Sequence, residues 1–383
     1  MEIKTKALLI PSLLLLLANC MQHCVNGQQQ KVPCFFVFGD SLSDNGNNNN
    51  LRTAAKCNYN PYGVDFQEGP SGRFTNGKNL VDFLAQFLGF EKFIPPFANT
   101  SGSDILKGVN YASGAAGILS ETGKRLGENI HLEQQLKNHR AIYLEIAKEL
   151  GDFKKADFKK AKEYLNQCLY YVNIGSNDYI NNFFLPQQYP SSRIYTLERY
   201  TNLLINKLSQ NIQELHERGA RKVVVAGMGL IGCTPQAIST RGTDGNCVAE
   251  FNNASFLFNN KLDAKLNALK KEYTDSELIF INSTSASLDQ FGFEVPEAPC
   301  CQPGLSGLCI PDETPCNDRN AYVFWDAFHP SEAWNLLNAI TNYNSTSTSA
   351  FTYPMDIEHL VDYEIKMELE LTNHSTSRLS ATE

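Results

Sequence analysis

Residues 34–44 read CFFVFGDSLSD. Five apolar residues, four of them aromatic or β-branched, run unbroken to Gly39. A run so short and so uniformly apolar suits a strand buried on both faces of a parallel sheet. The polar turn after it then lies at the strand's carboxyl end, the rim where open α/β sheets bind ligands. The same pattern recurs at 108–112 (GVNYA), 169–174 (LYYVNI), 222–226 (KVVVA) and 277–281 (ELIFI). Helix-period segments lie at 80–90, 132–151, 196–218 and 248–273. In the third, Leu197, Tyr200, Leu204, Leu208, Ile212 and Leu215 return every three or four residues and form one apolar stripe. Gly219 is placed to cap that helix before the next strand. Strands alternating with helices predict an α/β fold with helices on both faces of the sheet. No internal repeat or Pro- or Ser-rich linker divides the body.

Lys4 and Lys6 precede an apolar run at 7–18, ALLIPSLLLLLA, which is too short to span a bilayer. This reads as a secretory signal over 1–27, with cleavage after Gly27 or, in competition, after Cys20. The body of the chain then covers 28–363, and 364–383 is a charged, polar tail expected to fray. No later segment is apolar enough to cross a membrane. The net charge of −8, with no basic block, excludes a nucleic-acid partner. Asn99, Asn253, Asn282, Asn344 and Asn373 head Asn-x-Ser/Thr triplets, candidate glycosylation sites in an exported chain.

Export also changes how the cysteines read. Nine remain after residue 27, so at least one stays unpaired within the chain. Cys233 and Cys247 flank a polar, Gly-containing loop and form the best local pair. Cys300, Cys301, Cys309 and Cys316 can form two disulfides in three connectivities, and their spacing lacks the usual zinc knuckle. Cys34 and Cys168 sit in apolar runs and read as buried thiols.

Three motifs follow strands directly: Gly39-Asp40-Ser41-Leu42, Ser113-Gly114 and Gly175-Ser176-Asn177-Asp178. A fourth, Asp326-Ala327-Phe328-His329-Pro330, can reach the same rim. These residue types suit acyl transfer. A serine hydroxyl needs a base within hydrogen-bond reach, and a carboxylate must orient that base. Ser41, His329 and Asp326 supply the three groups, and one turn of chain can set Asp326 beside the imidazole. The backbone N–H groups of Ser41 and Gly114 and the Asn177 amide can face a developing oxyanion. Singly, each residue has an ordinary alternative. Ser41 could cap a helix, Asn177 could form an Asx-turn, and His329 could be a satisfied core histidine. Their joint order, each after a strand-like run, favours chemistry.

The chain resembles the plant Gly-Asp-Ser-Leu (GDSL) esterases/lipases of the Ser-Gly-Asn-His (SGNH) hydrolase superfamily. The stretches that carry the resemblance include FVFGDSLSDNGNNN, NPYGVDF, GPSGRFTNGKN, GVNYASGAAGI, VNIGSNDYINNFF, GMGLIGCTP, YVFWDAFHPSEAWN and FTYPMDIEHL. They run from about residue 32 to 360. The resemblance implies a three-layer α/β/α sandwich around a flavodoxin-like, mainly five-stranded parallel sheet. It also implies a Ser41–His329–Asp326 triad, an oxyanion hole from Ser41, Gly114 and Asn177, no metal or other cofactor, and an extracellular, cell-wall location. The expected partner is an ester: a lipid, an acetylated polysaccharide or a small acyl ester.

Other motifs fall away. Gly72 to Lys78 nearly spells a phosphate loop, but Asn79 stands where a Ser or Thr should hold magnesium. No Gly-x-Ser-x-Gly elbow and no Ser-x-x-Lys occur. Two other readings use the same residues: an acyltransferase, and a secreted glycan-binding protein on a hydrolase fold. The second predicts loss of a key residue, and none is lost.

Overall fold

The computed structural model describes residues 30–152, 155–285, 292–344 and 351–363. The expected signal at 1–27, the tail at 364–383 and Asn373 lie outside the described residues. Four parallel strands, β1 (Phe35–Gly39), β2 (Leu169–Asn173), β3 (Lys222–Ala226) and β4 (Glu277–Ile281), pair in that order. The register is direct, with Phe35 opposite Leu169 and Leu169 opposite Lys222. Strands β5 (Val295–Pro299) and β6 (Tyr322–Phe324) pair with each other in a separate small sheet. The two-residue strand β7 (Thr352–Tyr353) closes the far edge of the main sheet, antiparallel to β4. The fifth strand is therefore a short antiparallel edge that the sequence pattern does not announce.

The expected strand at 108–112 takes a looser form. Val37 N–H donates to Val109 O at 3.1 Å, and Tyr111 N–H donates to Val37 O at 2.8 Å. The segment thus runs along β1, opposite β2, but holds only the bridge between Val37 and Asn110. Two local causes are visible. Gly108 sits at φ +114°, outside extended geometry, and Asn110 is shared with Pro96 on its other side. Counting this segment, the spatial order matches the doubly wound flavodoxin pattern, and the order reverses between β1 and β2.

Alternation along each strand sends successive side chains to opposite faces. Phe36, Phe38, Tyr170, Val172, Val223 and Val225 face one buried cluster, covered by helices Leu132–Glu149, Leu197–Glu217 and Ala249–Glu272. Phe35, Val37, Leu169, Tyr171 and Val224 face another, covered by Leu80–Phe87, Glu332–Tyr343 and Ile357–Asp362. The result is a three-layer α/β/α sandwich. Among the described residues no helix is long and apolar enough to cross a membrane.

Four disulfides are present among the described residues. Cys233 pairs with Cys247 as expected. The late cluster resolves into Cys300–Cys316 and Cys301–Cys309. Cys34 and Cys168 are not thiols, as read from the sequence, but a disulfide. Each precedes its strand by one residue, and the β1–β2 register brings their Cα atoms to 4.8 Å. Cys57 is the free cysteine among the described residues, buried in a cluster with Tyr62, Trp325 and the late disulfides. Of the Asn-x-Ser/Thr residues, Asn99, Asn253 and Asn344 are exposed and Asn282 is half-buried.

Candidate active site

Three of the motifs meet at the carboxyl rim. β1 ends at Gly39, and the next turn delivers Ser41. Asp40 anchors the turn by accepting the Leu42 N–H at 3.0 Å. Burial pushes the Asp40 carboxyl up to about 6, against the stabilising pull of the Leu42 N–H and of His329. The segment after β6 carries Asp326 and His329. Asp326 turns back on its own chain, and its Oδ1 accepts the N–H groups of Phe328 and His329, each at 2.8 Å. That local turn sets the imidazole against the carboxylate, with His329 Nδ1 2.7 Å from Asp326 Oδ2. The other ring nitrogen, Nε2, lies 2.8 Å from Ser41 Oγ. Asp326 is wholly buried and His329 nearly so, while Ser41 is half-buried. Phe74 packs on the His329 ring with 4.8 Å between centroids.

Past β2, Gly175 turns the chain at φ +136°, a conformation that favours glycine, and Asn177 comes two residues later. The Asn177 amide is held at both ends. Its Nδ2 donates to Ala116 O at 3.0 Å, and its Oδ1 accepts from Asn181 at 2.6 Å. One Nδ2 hydrogen is left over. Gly114 lies under Phe74 and Asn48, and a Cβ there would sit 2.6 Å from the Phe74 ring. Its N–H donates to Asp44 Oδ2 at 2.9 Å, so this candidate oxyanion donor already has a partner. The Ser41 N–H has none among the described residues. Asp44 and Asp178 tie the surrounding loops together. Asp44 also holds the N–H groups of Gly46 and Asn47, and Asp178 holds Ile118 N–H, Leu119 N–H and the Thr122 hydroxyl. Burial raises Asp44 to about 6 and Asp178 to about 7. Both sit inside motifs legible in the sequence, yet nothing in those motifs singles them out.

Tyr62 also escapes sequence reasoning. Its hydroxyl donates to Asp326 Oδ2 at 2.6 Å across 264 residues of chain. The Asn run at 45–50 does loop work. Asn47 Nδ2 donates to the carbonyls of Asn110 and Ala112, and Asn48 Nδ2 to those of Ala55 and Gly114.

A cleft of about 370 Å³ opens over Ser41 and His329. Leu42, Phe74, Ile180, Phe184, Met228, Phe328 and Trp334 give it largely apolar walls. Its ionisable lining is Asp40 and His329 at the base, with the exposed Arg125 and Arg241 as well. Leu305, fully exposed, also lines it. The constellation offers a hydroxyl, a base and a buried carboxylate in line, which suits attack on an acyl carbonyl.

Comparison with known proteins agrees in kind. A family model described as GDSL-like lipase/acylhydrolase matches residues 35–339. Two GDSL esterases/lipases of Arabidopsis thaliana are similar over most of their length. One is 47% identical over 341 residues, covering 87% of this chain and 92% of the relative. The other is 44% identical over 342 residues, again covering 87% and 92%. Among solved structures, phospholipase A1 from Streptomyces albidoflavus NA297 is a distant likeness at 13% identity and a TM-score of 0.34, over 80% of this chain and 95% of that one.

Proposed function

The chain belongs to the GDSL-like lipase/acylhydrolase family and is a carboxylic ester hydrolase, and from that premise we propose that Ser41 is its nucleophile, His329 its general base and Asp326 the group that orients the base. The observation that carries this reading is the unbroken line from Ser41 Oγ through His329 Nε2 and Nδ1 to Asp326 Oδ2, with contacts of 2.8 and 2.7 Å. Ser41 Oγ attacks the ester carbonyl while His329 Nε2 takes its proton. Asp326 holds the Nδ1–H and stabilises the imidazolium. The Ser41 N–H and the spare Asn177 hydrogen receive the oxyanion. Gly114 is the third donor, and its N–H reaches the oxyanion only by giving up Asp44. His329 then returns the proton to the leaving alcohol, and an acyl-Ser41 ester remains. Water, deprotonated by His329, attacks that ester; the acyl–Oγ bond breaks, the acid leaves, and Ser41 Oγ takes the proton back from His329. Ser41 is half-buried and open to water, which favours hydrolysis over transfer to an alcohol.

The apolar cleft supports a lipid-type acyl ester rather than an acetylated polysaccharide as the substrate. Four disulfides suit an oxidising compartment and support export directed by residues 1–27. The test offers purified protein, beside Ser41→Ala, a series of p-nitrophenyl esters from acetate to palmitate. Ser41-dependent release with a preference for longer chains is expected. Wild-type turnover in folded Ser41→Ala would overturn the nucleophile, and a sharp preference for acetate would overturn the lipid-type substrate.

A further inference from the structure

Tyr62 lies in the NPYGVDF stretch, for which the chemistry above has no use. Its ring is fully buried and meets Phe74 and Trp325 edge to face. Its hydroxyl does two things at once. It accepts the Cys309 N–H at 3.1 Å and donates to Asp326 Oδ2 at 2.6 Å. Asp326 therefore receives four donors: Phe328 N–H and His329 N–H on Oδ1, Tyr62 on Oδ2, and His329 Nδ1, 2.7 Å from Oδ2 and 2.9 Å from Oδ1. We propose that Tyr62 is a positioning residue for ester hydrolysis, holding Oδ2 of Asp326 toward His329 Nδ1 and drawing off part of the charge that the carboxylate presents to the imidazole.

The physics rests on the donor count. The backbone N–H groups fix Oδ1, but only side chains fix Oδ2. Without the phenol, the imidazole is the sole donor to Oδ2, and the carboxylate can swing with it. Burial and the adjacent carboxylate push the Tyr62 hydroxyl well above the ordinary phenol range, so it remains a donor at every working pH. The hydrogen bond from Cys309 fixes the hydroxyl in turn, because the Cys301–Cys309 hairpin is closed by its disulfide. The other ionisable groups facing the pair are Asp40, which acts on His329, and Cys57 and Tyr59, which face Asp326. Burial raises all three, so Cys57 and Tyr59 stay neutral while Asp40 titrates near 6. Asp40 and Cys57 remain in every variant below and Tyr59 in all but its own control, so the Tyr62→Phe profile against wild type reports Tyr62.

This inference rests on the proposed triad, and its test separates the two. The rate of p-nitrophenyl ester hydrolysis is followed against pH for wild type, Ser41→Ala, Tyr62→Phe and Tyr59→Phe. Tyr59 is the control, because its hydroxyl donates to Cys309 O at 2.9 Å on the same hairpin. Tyr62→Phe should lower kcat about 10- to 100-fold, the worth of a hydrogen bond to a charged group, with KM within about twofold. Its acid limb should move to higher pH, since a carboxylate relieved of a donor pulls harder on the imidazolium. Tyr59→Phe should leave the limb in place. If Tyr62→Phe does not fold, 3-fluorotyrosine at position 62 keeps the bond with a more acidic donor, and the limb should move to lower pH. A Tyr62→Phe profile that superimposes on wild type, a matching shift in Tyr59→Phe, or an unmoved limb with 3-fluorotyrosine would overturn the inference. Full turnover in Ser41→Ala would instead overturn the triad beneath it.

Discussion

Replacing Cys34 and Cys168 together by alanine deletes a crosslink between residues 134 apart. Replacing Cys301 and Cys309 deletes one between residues 8 apart. All four sulfurs are buried, so the voids left behind are similar. Loop-closure entropy at 25 °C then assigns ~5 kcal/mol to the first crosslink and ~2.5 kcal/mol to the second, a gap of ~2.5 kcal/mol. Activity should rank the other way. Cys34 precedes β1 and Ser41 lies just beyond it, so the long crosslink sits one strand length away from the chemistry. The short crosslink frames a hairpin that holds the site directly. Cys309 N–H holds Tyr62, and Gly307 O accepts the Ala327 N–H at 3.0 Å. Urea midpoints with their slopes, beside kcat/KM in native buffer, read both quantities. The Cys34/Cys168 variant should be the less stable of the two and keep activity within about twofold, as expected for a change remote from the site. The Cys301/Cys309 variant should lose less stability and about tenfold or more in kcat. A hairpin variant less stable than the other, or equal activity losses in the two, would refute the reasoning.

Three further outcomes are expected. Asp326→Asn should lower kcat by about 10³- to 10⁴-fold with a native circular-dichroism spectrum, because an amide cannot hold the imidazole in the required tautomer, and a loss under about tenfold would contradict the orienting role. Burial raises Asp40, Asp44 and Asp178 to about 6, 6 and 7 in the folded state, so between the ordinary carboxylate range and pH 7 the folded chain binds protons that the unfolded chain has released. Stability from these groups should fall as pH rises through that window. His139, lowered to about 3 by burial, and His131, also lowered by burial, work in the opposite sense, while His359, raised by its hydrogen bond to Asp356, works in the same sense as the carboxylates; the three carboxylates outweigh the two lowered imidazoles. Asp65 and Glu214, held low in ion pairs, lose stability only at more acidic pH. The thermal midpoint should therefore be higher near pH 5 than near pH 7.5, and the reverse order would count against these shifts. Leu305→Ser, at an exposed position lining the cleft, should reduce hydrolysis of emulsified long-chain esters several-fold and leave soluble acetate esters untouched, whereas equal effects on both would deny it a role with bulky substrates.

The layers and much of the clustering of the proposed site residues were legible for one reason. Apolar runs such as CFFVF and KVVVA mark strands by local composition, and parallel strands deliver the turns at their carboxyl ends to one rim. Hence Ser41 and Asn177 could be grouped before any distance was known, whereas His329 arrives from beyond β6 of the separate small sheet. The features that stayed hidden depend on register or on contacts across the chain. The Cys34–Cys168 bond arises from Phe35 standing opposite Leu169, a pairing that neither run encodes alone. Strand β7 has two residues, too few for any periodicity. Tyr62 meets Asp326 across 264 residues of chain and takes its second hydrogen bond from Cys309, contacts that no local pattern announces. The engagement of Gly114 by Asp44 was invisible because the motif names a glycine and not what its N–H is doing.

Cys57 bears on how this framework survives. A free thiol packed among disulfide-bonded Cys300, Cys301 and Cys309 is a potential attacker of those bonds. Exchange needs the thiolate, because the protonated sulfur is a poor nucleophile. Burial first, and then the charges of Asp44 and Asp326, push the Cys57 thiol well above its ordinary range. The carboxylate assigned to orient the base therefore has a second effect. It adds to the burial and the Asp44 charge that hold the neighbouring sulfur protonated, which disfavours attack by that sulfur on the crosslinks around it.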